Sequence, residues 1–142
     1  MLDEIKSYFN LRRLVRSRKK TERFYDQKYE EAETDDDENA VYAVRAQEIG
    51  VIDDEIGLLL SQQWQSKATY LQLPTPPFST SNGKWVEGDY DGKWRLSPQE
   101  VFKLRAAVRK EEKERWELWQ MRLTLLIGFG GMLIGLVSVL KK

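Results

Sequence analysis

Residues 94–101 read WRLSPQEV, and the reading of this octapeptide decides where the chain stops turning and becomes a rod. Ser97 is a good N-cap residue, Pro98 suits the first helical position, and Glu100 stands three residues past the cap, where its carboxylate can close a capping box. Leu96 and Val101 flank the cap at the spacing of a hydrophobic staple. A helix is therefore predicted to start at Pro98. No proline follows it, and no glycine before Gly128, so one helix is expected to run to about Leu140, about 65 Å at 1.5 Å per residue. Val101, Leu104 and Val108 share one face and are expected to be buried. The next seven residues, RKEEKER at 109–115, are all charged. Such a stretch cannot enter a core, so residues 98–122 read as a charged stalk, with Glu111 and Arg115 paired one turn apart.

Beyond the stalk, Leu123 to Leu140 is a run of 18 residues without a charge. As a helix it would be about 27 Å long, close to the hydrocarbon thickness of a bilayer. Arg122 bounds it on one side and Lys141 and Lys142 on the other, while Trp116 and Trp119 stand where an interfacial aromatic belt would be. The expectation is a single transmembrane helix over 123–140. Arg109, Lys110, Lys113, Arg115 and Arg122 precede it and only two lysines follow, which predicts a tail-anchored, single-pass protein with its N-terminal domain in the cytoplasm. Within the run, Thr124, Gly128, Gly131, Gly135 and Ser138 fall on an arc of about 80°. In lipid, close backbone approach over small residues drives helix association. These five residues thus read as a transmembrane self-association seam, for a homo-oligomer or a partner's transmembrane helix.

The join WRLSPQEVFKLRAAVRKEEKERWELW at 94–119, followed by the glycine-bearing run, resembles small bacterial membrane proteins of uncharacterised function. In these a Leu-Ser/Thr-Pro cap starts a charged helix that runs into a C-terminal anchor. The resemblance covers residues 94–140. It implies an anchored bacterial protein and carries no activity with it.

Upstream of the octapeptide, GKWVEGDYDGKWRL repeats Gly-Lys-Trp nine residues apart, and Lys84–Glu87 and Lys93–Leu96 read as two short strands around GDYDG. Trp85, Tyr90 and Trp94 are expected to pack a small core rather than form a binding surface. Pro74, Pro76 and Pro77 lie within four positions and exclude helix there, and residues 66–97 read as a Pro/Gly-rich connection carrying a β-hairpin. Residues 1–65 read as a helical hairpin. Positions 2–33 hold no Gly or Pro; Leu11, Leu14, Val15, Tyr25, Tyr29 and Ala32 share a stripe, with Leu2, Ile5 and Phe9 opposite. The acidic run from Thr34 caps a second helix over about Glu38–Gln65, whose face is Val41, Ile49, Ile52, Ile56, Leu59 and Leu60. Gly50 and Gly57, a heptad apart on the other side, mark either a close helix neighbour or a break. The fold class is thus mainly α: a long helical hairpin, a small β-hairpin insertion and a long C-terminal helix continuing into a membrane span.

Charge and composition bound the function. Net charge is zero, with 23 basic and 23 acidic residues held in separate blocks, and there is no cysteine or histidine. Thiol chemistry, Cys/His zinc sites and imidazole-dependent triads are excluded. Asp53, Asp54 and Glu55 are adjacent on a helix and point in different directions, so no catalytic constellation is read and no cofactor or metal is expected. Arg12, Arg13, Arg16, Arg18, Lys19 and Lys20 form a basic cluster. It reads first as a solvated face complemented by the acidic segments, then as a contact for an anionic lipid surface, with nucleic acid least favoured. The function expected from sequence is a non-enzymatic, tail-anchored membrane protein that self-associates through its small-residue seam and offers a helical domain to a cytoplasmic protein. The alternative is a membrane-perturbing effector, pore-forming or toxin-like, as in phage defence.

Overall fold

A computed structural model describes residues 2–140, with side chains described from Lys6 to Phe129. It contains three helices and one two-stranded hairpin in the order α1 (Leu2–Glu30), α2 (Asp35–Tyr70), β1 (Trp85–Glu87), β2 (Trp94–Leu96) and α3 (Pro98–Leu140).

α1 and α2 form the expected antiparallel hairpin. Arg18 pairs with Asp53, Arg45 with Asp26, and Tyr29 donates to Glu38, so partners on α2 rise in number as those on α1 fall. Thr34 is the N-cap of α2, accepting from the Asp37 amide, and Asp35, Asp36, Asp37 and Glu38 fill the first turn, where the helix dipole favours negative charge. The helix consequently begins three residues before the expected start. Of the predicted α1 stripe, Tyr25 is buried, Leu11, Leu14 and Ala32 are half-buried, and Val15 and Tyr29 stay exposed. Phe9 is exposed on the opposite side; the side chains of Leu2 and Ile5 lie outside the described residues.

α2 overruns its expected end at Gln65 by five residues and stops in a Schellman motif. The Leu73 amide donates to the Ala68 carbonyl and the Gln72 amide to the Thr69 carbonyl, with Gln72 at φ 59°. Leu73 then packs on the cluster that holds Ala68, the apolar contact that accompanies this cap. The chain returns through the proline segment to the hairpin, whose register pairs Trp85 with Leu96, Val86 with Arg95 and Glu87 with Trp94. Trp85 and Trp94 both lie edge-on to Phe78, and the Trp85 indole donates to the Pro77 carbonyl at 3.0 Å. Of the three rings expected in a small core, Trp85 packs against the core cluster, Trp94 is half-buried against Phe78, and Tyr90 stays exposed.

The core is where the last turns of α2, strand β2 and the first turns of α3 meet: Ala68, Leu71, Leu96, Leu104 and Val108, with Trp64, Leu73, Trp85 and Val101 against them. Removing each large member from water contributes about 1.5–3 kcal/mol. α2 is the hub, touching α1, β2 and α3, whereas among the described residues α1 packs on α2 alone. α3 lies parallel to the end of α2, because Arg105 covers the Trp64 ring and Arg115 donates to the Leu71 carbonyl. α2 ends at Tyr70 and α3 does not: it continues past Arg115 to Leu140, and from Arg115 to Phe129, about 21 Å, no second helix lies beside it among the described residues.

The helix start at Pro98 stands, with one change. The Ser97 hydroxyl accepts from the Glu100 amide at 3.4 Å, and Leu96 and Val101 meet as a staple. The box does not close, because the Ser97 amide already donates to the Lys84 carbonyl in the hairpin. Glu100 turns to Lys103 instead.

The membrane reading is overturned. Among the described residues no helix is long and apolar enough to cross a membrane. The part of the uncharged run with described side chains, Leu123–Phe129, is about 10 Å long, a third of a bilayer's hydrocarbon thickness; the remainder of the expected span lies outside the described side chains. The transmembrane helix and the tail-anchored single-pass localisation with a cytoplasmic N-terminal domain are corrected accordingly. So are the two functions built on them, the anchored membrane platform and the membrane-perturbing effector.

Candidate interaction surfaces

One stripe of α2 fastens the β-hairpin, and it recurs at helical spacing: Gly50, Asp54, Gly57 and Ser61. A Cβ at Gly50 would collide with the Tyr90 ring, and one at Gly57 would come within 2.9 Å of Arg95 Cδ. The two glycines therefore seat a hairpin. Neither a helix neighbour nor a break occurs there, and α2 runs through both without interruption. Between them, Asp54 is 3 % exposed. Its carboxylate accepts from Arg95 Nη2 at 2.6 Å and from the Tyr90 amide at 2.8 Å. Two turns on, buried Ser61 accepts from the Leu96 amide at 3.0 Å and from Gln65 Nε2 at 3.1 Å. A charge this deep is tolerable only because it is paired and hydrogen-bonded. Burial pushes the Asp54 carboxyl up, but the Tyr90 amide, the Arg95 guanidinium and the Asp91 amide together outweigh it and hold the group below the ordinary carboxylate range.

Asp53 points to α1, where Arg18 Nε reaches it at 2.6 Å; this hydrogen bond, and the charge behind it, raise the Arg18 pKa further. Neighbours in the Asp-Asp-Glu run thus serve different elements, as their helical positions require. On the same interface, burial and then a hydrogen bond to Glu48 push the Tyr25 hydroxyl up. Near the hairpin turn the bond to Glu38 does the same for Tyr29. These groups are occupied in holding the fold.

Two surfaces remain uncommitted. On α3, Trp116, Leu118, Trp119, Met121, Leu123, Leu125, Leu126, Ile127 and Phe129 are all exposed, Leu126 and Ile127 at 71 % each. Trp116 and Trp119, expected at a membrane interface, stack on one another with ring centres 6.5 Å apart and planes 11° apart. Arg122 is exposed. Of the small-residue seam, Thr124 bonds back to the Gln120 carbonyl at 3.0 Å and Gly128 faces open space. Gly131, Gly135 and Ser138, with Lys141 and Lys142, lie outside the described side chains. Upstream, the charged stretch is laced as predicted by Glu111–Arg115, and also by Lys110–Glu114 and Lys113–Glu117.

On α1, the basic cluster divides. Arg18 turns inward to Asp53 and Glu22, while Arg12, Arg13, Arg16, Lys19 and Lys20 are exposed. The acidic segment after Thr34 sits at the opposite end of the hairpin and does not complement them. Comparison of the chain with protein-family models, curated proteins and solved structures finds no match.

Proposed function

We propose that this chain is a non-catalytic assembly module, in which the α2 clamp fixes the root of α3 and the outer part of α3 associates with further copies of itself. The observation that supports this reading is the exposed apolar surface from Trp116 to Phe129, held at the end of a continuous helix. At 100° per residue its nine apolar side chains cover about two thirds of the circumference. An apolar stripe that wide needs neighbours on more than one side. Glu117, Gln120 and Thr124 occupy the remaining strip, which would face water when the rest is covered; Arg122 falls inside the apolar arc and is exposed, on a stem long enough to carry its guanidinium out to water. Identical helices in a bundle of three or more meet both demands, and closed symmetric assemblies are the common outcome for such self-complementary surfaces. The carboxylates of Asp53 and Asp54 are engaged by Arg18 and Arg95, which favours a binding role over a catalytic one.

Sedimentation equilibrium of the full chain in aqueous buffer tests this. The wild type is expected as an oligomer of three or more copies across the micromolar range, and Trp119→Asp with Ile127→Asp as a monomer of unchanged helicity. A monomeric wild type contradicts the proposal.

A further inference from the structure

We infer that the outward face of α1 is a docking surface for the phosphate backbone of a nucleic-acid duplex. Between positions 12 and 23 the helix carries Arg12, Arg13, Arg16, Lys19, Lys20 and Arg23, all exposed. At 100° per residue these six fall within an arc of about 120° and span about 17 Å along the axis. The side of α1 that packs on α2, marked by Leu11, Leu14, Arg18 and Tyr25, lies about 170° away from the centre of that arc. The centre of the array therefore points away from the hairpin, with Arg13 at its edge beside Glu55 and Leu59 of α2. None of the six forms an ion pair among the described residues, whereas Arg18, which faces α2, forms two. A surface merely neutralised by the fold would show the reverse.

Shape and companions favour a duplex. A helix of about 10–12 Å diameter fits a major groove about 12 Å wide, and cations on both flanks of a 120° arc then reach the phosphates of both strands. Phe9, Asn10, Arg13, Arg16, Ser17 and Lys20 line one shallow concavity of about 540 Å³. It offers an apolar ring and two short polar side chains beside the cations. The Arg12 guanidinium lies 6.0 Å from the ring centre of the exposed Tyr8. An anionic lipid surface would ask for a broad apolar face beside the cations; within their arc the described residues offer one apolar side chain, the exposed Phe9. The acidic block at 35–38 stands at the far end and sets the direction of approach by repelling phosphate.

Fluorescence anisotropy of the full-length chain with a labelled duplex, titrated with salt, tests the inference. With five phosphate contacts the affinity should fall roughly 10²–10³-fold between 50 and 200 mM salt. Replacing Arg13, Arg16, Lys19 and Lys20 by glutamine should weaken binding at least tenfold and flatten the salt slope by about three units. Replacing Lys84, Lys93, Lys103 and Lys110 by glutamine removes the same charge from other surfaces and should leave binding within a factor of three. No duplex binding at low salt would overturn the inference. Equal loss in both quadruple variants would do so too, as would α1-dependent binding to phosphatidylserine vesicles without binding to duplex. The wild-type salt slope is read without any variant, so a variant that failed to fold would not obscure the result.

Discussion

The two halves of α3 are the same kind of helix and have opposite surroundings. From Pro98 to Arg115 each inward residue has a partner: Leu104 and Val108 in the core, Val101 in the staple, Arg115 on the Leu71 carbonyl. From Trp116 to Phe129 the apolar side chains are exposed. Both halves are continuous helix, with one narrow apolar face before Arg115 and a wide one after it. What also differs is α2, which ends at Tyr70 and so stops supplying a neighbour. A helix longer than its support turns unmatched apolar area into a demand for other molecules, and that demand is the basis of the assembly reading.

Substitutions on the supported side should cost stability and leave association alone; those beyond Arg115 should do the reverse. The largest effect is expected at the buried pair. Asp54→Ala strands Arg95 beside a buried backbone amide and should cost roughly 3–5 kcal/mol by urea denaturation; a cost below about 1 kcal/mol would mean that the hairpin is not clamped there. The same pair predicts a pH dependence. The folded Asp54 carboxyl lies below its unfolded value near 3.8, so its contribution is complete above that value and disappears as pH falls through the lower folded value. Unfolding monitored from pH 6 down to pH 2 should show this loss in the wild type and not in Asp54→Asn.

A smaller effect is expected where α2 meets the turn. Gly50→Ala displaces the Tyr90 ring and should cost about 1 kcal/mol. In a Tyr90→Ser background the same change should stabilise by about 1 kcal/mol, because only the helix preference for alanine remains. Gln72→Gly relieves a left-handed residue at the Schellman cap and should stabilise by about 0.5 kcal/mol, net of the added freedom of the unfolded chain. Smallest of all, Lys113→Ala removes one exposed pair with Glu117 and should change stability by less than about 0.5 kcal/mol. An effect of Lys113→Ala above about 2 kcal/mol would put unsuspected support along α3.

Much of the fold was legible because its signals are local. The Ser97-Pro98 cap, the Leu96–Val101 staple, the acidic first turn of α2 and the Gly-Lys-Trp repeats each bear on a few neighbouring residues. What stayed hidden depends on residues brought together from a distance. Gly50 and Gly57 look the same whether they admit a helix, a break or a ring, and Tyr90 and Arg95, some forty positions away, decide it. Asp54 is one of three adjacent acids, and only the returning hairpin singles it out. Glu100 fits a capping box until the Lys84 carbonyl takes the amide it would need. The uncharged run after Arg122 misled for the opposite reason, since hydropathy reads a segment without its surroundings. The basic cluster was visible in composition, and its division into an inward Arg18 and an outward array required the packing of α1 on α2.

The most direct measurement is amide hydrogen exchange along α3 at several concentrations of the full chain. Residues 101–108 should show protection independent of concentration, set by the stability of the clamp. Residues 116–129 should become more protected as concentration rises, because their cover comes from other copies. Protection of 116–129 that does not change with concentration would contradict the account.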